Sequence, residues 1–421
     1  HTQQDEHLDA VIAGTISAAD KLAACLASLE STEDDVKAWC LRSDMGAYAQ
    51  AEACDAAPVR GLLHGVCVGV KDIIDTADML TERGSRSCAG RQPSSDADLV
   101  SKLRAAGAIL PGKTATTEFA YLDKTVTRNP HNLAHSPGGS SSGSAAAIAA
   151  GQIPLAIGTQ TGGSVIRPAS YCGVFGMKPS FGSISRAGVL QTAQTLDQVG
   201  VFASTLTGIG SLCDVIMTGA DGMMQATQSA FHHPRSLAFD GIYDGVVETS
   251  VQDAVKSVTS SLGAAVTHLP APEMTASYLA GHKAVYEVEL AQNLGAICDA
   301  KSALVGPAAK ATVAIGRTHH SDVYDAAQAM RVRAIADLSS YFASYDMLIT
   351  PAATSEAPLF DEGTGNPTCN ALWSFVGFPC ITLPLTTGPT GLPIGVQLIG
   401  AMGADKNLLQ LAKWLLDTYH A

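Results

Sequence analysis

Residues 137–144 read Pro-Gly-Gly-Ser-Ser-Ser-Gly-Ser, and residues 158–168 read Gly-Thr-Gln-Thr-Gly-Gly-Ser-Val-Ile-Arg-Pro. The first stretch opens an alanine-rich run, Ser142 to Ala150, which reads as a helix closed by Gly151. The second grows out of Pro154-Leu155-Ala156-Ile157-Gly158, a short apolar run that suits a buried strand, with Thr159–Ser164 as the turn beyond it. Upstream, Gly65-Val66-Cys67-Val68-Gly69-Val70 is a second such run, and it delivers Lys71 at its C-terminal end. In open α/β sheets chemistry gathers at those strand ends.

The pattern continues outward on both sides. Ser17 is placed to cap a helix from Ala18 to Leu29, with Leu22, Cys25, Leu26 and Leu29 on one face. Asp96–Ala106 reads as a helix and Ala108–Leu110 as a short strand. Strand-like runs recur at Ser236–Phe239, Ala265–Thr267, Met347–Ile349, Cys380–Leu383 and Gly395–Ile399, and a helical run closes the chain at Lys406–Thr418. Strands alternating with helices predict an α/β fold. No repeat, linker or low-complexity tract divides the chain. We therefore expect residues 1–421 to form a single domain, with an N-terminal helical segment of about residues 1–60 packed on the core.

Composition sets bounds. The chain has 421 residues, 46% of them hydrophobic, enough for a large core. Its net charge of −13 argues against nucleic-acid binding, which pairs Lys and Arg with phosphates. Ten cysteines are scattered without a CxxC pair, so neither zinc nor a redox motif is expected. Unpaired cysteines and a polar, acidic start without a secretory leader point to the cytoplasm. No apolar run is long enough to span a bilayer. The expected partner is a small molecule, with no nucleic acid, membrane or cofactor; a homodimer stays open.

The chemistry reads as acyl transfer without histidine. Ser164 is the candidate nucleophile, and a serine hydroxyl needs a base to take its proton. Gly162 and Gly163 let the backbone turn tightly, so the N–H groups of Thr161, Gly162, Gly163 and Ser164 can face an oxyanion. Taken alone, such a turn reads equally well as a phosphate nest. Lys71 is the candidate base, provided burial keeps it neutral. Ser140 is the candidate relay, since a hydroxyl accepts and donates at once. Arg167 either reads a substrate carboxylate through its planar fork of donors or ties the serine loop to backbone carbonyls. Ser141 and Ser142 orient these groups or cap the following helix. His131 and His135, near the serine loop, read as structural, and Asp72, Asp75 and Asp197 as loop ties.

These blocks resemble the amidase signature family. Gly138–Ala147 is similar to its Gly/Ser-rich hallmark, Gly158–Ser164 to its second block, and Val68–Asp75 to its lysine block. Further similarity lies at Gly112–Ala120, Leu196–Gly200, Tyr345–Pro351 and Gly377–Gln397, so it spans roughly residues 10–418. The resemblance implies an α/β/α sandwich about a large mixed, mostly parallel sheet. It also implies an amidase with a triad of Ser164, Ser140 and Lys71, and a cis peptide before Ser140. Arg167, three residues past Ser164, looks like the malonamidase-type branch, whose substrates carry a free carboxylate. Carbamates, esters and aryl amides fit the same machinery. So does the glutaminase subunit of a tRNA-dependent amidotransferase, although the aspartate of that subunit's second block is Gln160 here.

Overall fold

The computed structural model describes residues 16–419. A single 11-stranded sheet runs through the molecule in the order β1-β3-β2-β4-β6-β5-β10-β11-β9-β7-β8. In chain order the strands are β1 (Trp39–Arg42), β2 (Val68–Lys71), β3 (Gly112–Thr114), β4 (Leu155–Gln160), β5 (Phe175–Lys178) and β6 (Gln198–Ala203), then β7 (Ser236–Asp240), β8 (Val266–Pro270), β9 (Met347–Pro351), β10 (Cys380–Thr387) and β11 (Pro393–Ile399). The helices are α1 (Ala18–Val36), α2 (Asp44–Asp55), α3 (Asp98–Ala105), α4 (Ser142–Ala149), α5 (Ile166–Cys172), α6 (Leu206–Ile216) and α7 (Met223–Ala226), followed by α8 (Thr249–Ser261), α9 (Thr275–Ala300), α10 (Pro307–Thr318), α11 (Ser321–Ser340), α12 (Thr368–Val376) and α13 (Asp405–Tyr419).

Side chains alternate along the strands and feed cores on both faces of the sheet. Met347 and Ile349 of β9 join the cluster that holds Ile209 and Leu212 of α6 and Leu408 of α13. Leu348 between them joins Trp373 and Phe375 of α12 and Val285 of α9. Around α4, Ala156 and Phe202 pack with Ala145–Ile148 and with Leu22 and Cys25 of α1. This is the expected α/β/α arrangement about a large mixed sheet. Nine of the ten cysteines are buried, and all ten are free thiols.

The sheet is not mostly parallel. Parallel pairing is confined to β3-β2-β4 and to β9-β7-β8. The remaining six pairings are antiparallel. One physical reason is the five-residue connection 388–392 between β10 and β11, because a loop that short can join only antiparallel neighbours. A second correction concerns Ala108–Leu110: Ile109 makes an isolated bridge to Cys67, and the strand itself is Gly112–Thr114. Strands β1, β5 and β6 have no counterpart in the sequence reading. In β6, Gly200 interrupts the apolar pattern because a Cβ there would lie 2.6 Å from Val165 Cγ2 and 2.8 Å from the Met177 carbonyl. Residues 1–15 of the expected N-terminal helical segment lie outside the described residues; from Ser17, whose side chain accepts from the Asp20 N–H, the chain forms α1 and α2, but strand β1 (Trp39–Arg42) interrupts the expected helical run. Among the described residues no helix is long and apolar enough to cross a membrane, and no group of three or more His, Cys, Asp or Glu is placed to hold a metal.

Candidate active site

Lys71 ends β2 with its side chain fully buried. Its ammonium nitrogen meets three hydroxyls: Ser140 Oγ at 2.7 Å, Ser141 Oγ at 2.9 Å and Thr159 Oγ1 at 2.9 Å. Among the described residues no carboxylate bonds to it. Burial pushes its pKa well below 10.5, and the nearby Asp197 offsets only part of that. A lysine set among hydroxyls in a dry site is suited to act as a base.

Ser140 follows a cis Gly139–Ser140 peptide bond. The loop is held from three sides. Arg167 Nη2 donates to the Gly139 carbonyl at 2.8 Å, Thr117 N–H to the Ser140 carbonyl at 3.2 Å, and Ser142 Oγ to the Gly138 carbonyl at 2.7 Å. Gly138 has φ +82, and a Cβ there would press on Tyr171 and Pro168, so a side chain is excluded twice over. Ser141 donates to the Thr159 carbonyl. Neither Ser141 nor Ser142 caps α4, whose N-cap makes no side-chain hydrogen bond. Their hydroxyls are committed to Lys71, Thr159 and Gly138 instead, which overturns the capping expectation.

Ser164 stands in the turn between β4 and α5 and is nearly buried, at 9% exposure. Side chains brace the turn through its carbonyls. His282 Nε2–H donates to the Thr161 carbonyl at 2.9 Å, and Ser374 Oγ to that of Gly162 at 2.7 Å. Gln160 Oε1 accepts from the N–H groups of Val165 and Ile166, while its Nε2 donates to Ser374 Oγ. The Thr161 hydroxyl bonds Asp197, whose carboxylate also takes the N–H groups of Thr192 and Ala193. Among the described residues, the N–H groups of Thr161, Gly162, Gly163 and Ser164 have no protein acceptor. The Ser164 hydroxyl also makes no hydrogen bond to a described residue. The structure thus joins Lys71 to Ser140 directly, while Ser164 follows in the turn after Thr159, which Lys71 also touches. Resting sites often tighten such bonds only around substrate.

Arg167 is 3% exposed. One of its nitrogens is spent on Gly139, but Nε and Nη1 are buried without a partner. His131 and His135 hydrogen-bond the carbonyls of Cys172 and Ala357, as structural residues would. Asp72 bonds the Glu82 N–H and Asp75 pairs with Arg91, both tying loops.

The sequence pattern that defines the family described as Amidase matches residues 20–409. The chain belongs to the amidase signature family. This amidase is therefore a hydrolase of amide C–N bonds. It is 34% identical, over 96% of its own length and 95% of the relative's, to the glutamyl-tRNA(Gln) amidotransferase A subunit of Picosynechococcus sp.. Among solved structures it superposes at a TM-score of 0.92, with 28% identity, on a chain from a vestigial protein complex said to reveal the evolutionary origins of an s-triazine catabolic enzyme; 99% of this chain and 98% of that one are covered. The glutamyl-tRNA(Gln) amidotransferase A subunit of Thermotoga maritima gives a TM-score of 0.80 with 25% identity, over 94% and 91% of the two chains.

Several residues of this amidase's site were invisible in its sequence. Thr159 completes the lysine's hydroxyl cage. From one face of α9, at spacings of seven and four, His282 reaches the serine turn while Glu289 and Asn293 hold the segment 192–195 beside it. His282 holds Thr161, Glu289 takes the Thr195 N–H, and Asn293 donates to the Thr192 carbonyl. Burial pushes His282 down to about 4, so it is a neutral brace. No short-range pattern marks a helix that lies about 120 residues downstream as the wall of a serine turn.

Proposed function

We propose that this amidase cleaves small carboxamides, including carboxylated ones such as malonamate, through an acyl-Ser164 intermediate. The observation that carries the reading is the buried Lys71 Nζ at 2.7 Å from Ser140 Oγ, in a site with four unpaired N–H groups. Ser164 Oγ attacks the substrate carbonyl carbon. Its proton passes to Ser140, whose own proton moves to neutral Lys71. The carbonyl oxygen becomes an oxyanion facing the N–H groups of residues 161–164. When the C–N bond breaks, Ser140 gives a proton to the leaving nitrogen and Lys71 resupplies it. Water then repeats the cycle on the acyl-Ser164 ester and frees the acid. The unpartnered Arg167 Nε and Nη1 support a carboxylate on the substrate, since a buried cation seeks an anion. The sheet runs unbroken from β1 to β8, and we read the chain as one catalytic domain. A fluorophosphonate probe followed by mass spectrometry tests the core claim. The label belongs on Ser164 and should vanish in Ser164→Ala, and a label elsewhere refutes the assignment.

The named relatives favour a second reading, the glutaminase component of an amidotransferase, which acts only with partner chains and tRNA. Gln160 argues against it. Its side chain accepts from two N–H groups and donates to Ser374 at once, a pairing an aspartate cannot make. Ammonia release by the purified chain alone decides between the two.

A further inference from the structure

Asn370 lies in the first turn of α12 and is completely buried. Its Nδ2 donates to the Ala352 carbonyl at 2.9 Å and faces Gln397 Oε1 at 3.5 Å. Gln397 is itself pinned, because its Nε2 donates to Thr350 Oγ1 and to the carbonyls of Pro351 and Cys369. Both neighbours of Nδ2 are acceptors, so the orientation of the amide is fixed. Its oxygen must face the other way. There it has no partner. It sits against the residue before the nucleophile: a Cβ built on Gly163 would lie 2.5 Å from Asn370 Oδ1.

The polar groups left unpaired around this turn form a set of two kinds. The N–H groups of residues 161–164 and the Nε and Nη1 of Arg167 are donors. Asn370 Oδ1 is an acceptor. An ester offers acceptors alone and would leave Oδ1 unpaired. A carboxamide adds N–H donors and answers both kinds. We propose that Asn370 is a specificity-determining residue whose Oδ1 accepts an N–H of the bound amide, so that the site selects carboxamides over esters of the same acid. This rests on Ser164 being the nucleophile. A site that hydrogen-bonds a substrate N–H discriminates against the analogue lacking it, because its own buried group then stays unpaired.

The test compares kcat/KM for matched pairs, malonamate with monomethyl malonate and propionamide with methyl propionate. The wild-type chain is set against Asn370→Leu and Asn370→Ser. Both variants remove Oδ1, and serine is the smaller disturbance should leucine fail to fold. The amide-to-ester ratio should fall by roughly 5- to 10-fold in either variant. An equal loss on amide and ester, with a lower Tm, would mean that Asn370 only anchors Ala352, and would overturn the proposal. So would an unchanged ratio, the outcome expected if a water rather than substrate pairs with Oδ1. Fluorophosphonate labelling runs in parallel. No label on wild-type Ser164 refutes the nucleophile itself, whereas a labelled Ser164 with an unmoved ratio refutes the role of Asn370 alone.

Discussion

Lys71, the proposed base, is of a residue type that is usually an acid, and burial is what lowers its pKa. Its three neighbours are neutral hydroxyls, so nothing beside it stabilises the ammonium enough to undo the desolvation. Only the neutral amine takes a proton, so kcat/KM should rise with pH through a midpoint below 10.5 and then level off. Lys71→Met should abolish turnover across that range. A bell-shaped profile centred near the ordinary histidine pKa, or full activity in the methionine variant, would contradict this. Arg167 has one observed attachment, to Gly139, and one proposed, to a substrate carboxylate, and substitution separates them. The Gly139 bond needs one donor, while a carboxylate uses the fork. Arg167→Lys keeps the charge and loses the fork. We expect it to cost roughly 10- to 150-fold in kcat/KM on carboxylated amides, and far less on neutral amides of the same size. An equal loss on both would leave Arg167 a purely structural tie.

The elements explain why the motif glycines are where they are. A Cβ on Gly143 of α4 would stand 2.1 Å from the Ala38 carbonyl and 2.3 Å from the Ala115 nitrogen, both rigid backbone. The helix can therefore lie against the β1–β3 edge only without a side chain at that position. Gly143→Ala should push α4 outward and draw Ser140 and Ser141 away from Lys71. Overpacking of this kind costs about 1–3 kcal/mol, read as a drop in Tm, with slower fluorophosphonate labelling of Ser164. Unchanged Tm and labelling would show that the helix has slack. The same contrast governs what could be read from sequence. The strand–turn–helix stretches carrying Lys71, Ser140 and Ser164 were legible because local apolar runs and glycines specify them. Strands β5 and β6 were not, since Gly176 and Gly200 trade side chains for close approach to α5 and the residue before it. The braces His282, Ser374 and Asn370 were hidden for a different reason: they meet the turn only through tertiary packing, from helices far along the chain. The parallel-sheet expectation failed because alternation of helices and strands does not reveal where two strands are joined by a short hairpin.

At the scale of the whole molecule, the buried ionisable groups give stability a shape in pH. Burial depresses the folded pKa of Lys71, Lys113 and Lys178 below 10.5. In the window between each folded value and 10.5 the unfolded chain binds more protons than the native one, so stability rises with pH there and is lost as pH falls through the folded values. His282, pushed to about 4, contributes in the same direction between that value and 6.5. Asp72 and Asp197 act oppositely. Burial raises them above 3.8, so their contribution is lost as pH rises through the folded values. Tyr243, Tyr286 and Cys213 are raised well above 10.0, 10.0 and 9.0 by burial, so they too hold protons in the native state and their contribution is lost at high pH. The depressed lysines should make Tm rise with pH below 10.5, and the raised tyrosines and Cys213 should make it fall at higher pH, measured by calorimetry at constant ionic strength. Lys71→Met removes one depressed lysine and should flatten that climb. The comparison of slopes is robust to any offset from the stranded hydroxyls, which is the same at every pH. A methionine variant with the wild-type slope would show that Lys71 carries its proton in the folded protein, and the base would have to be sought elsewhere.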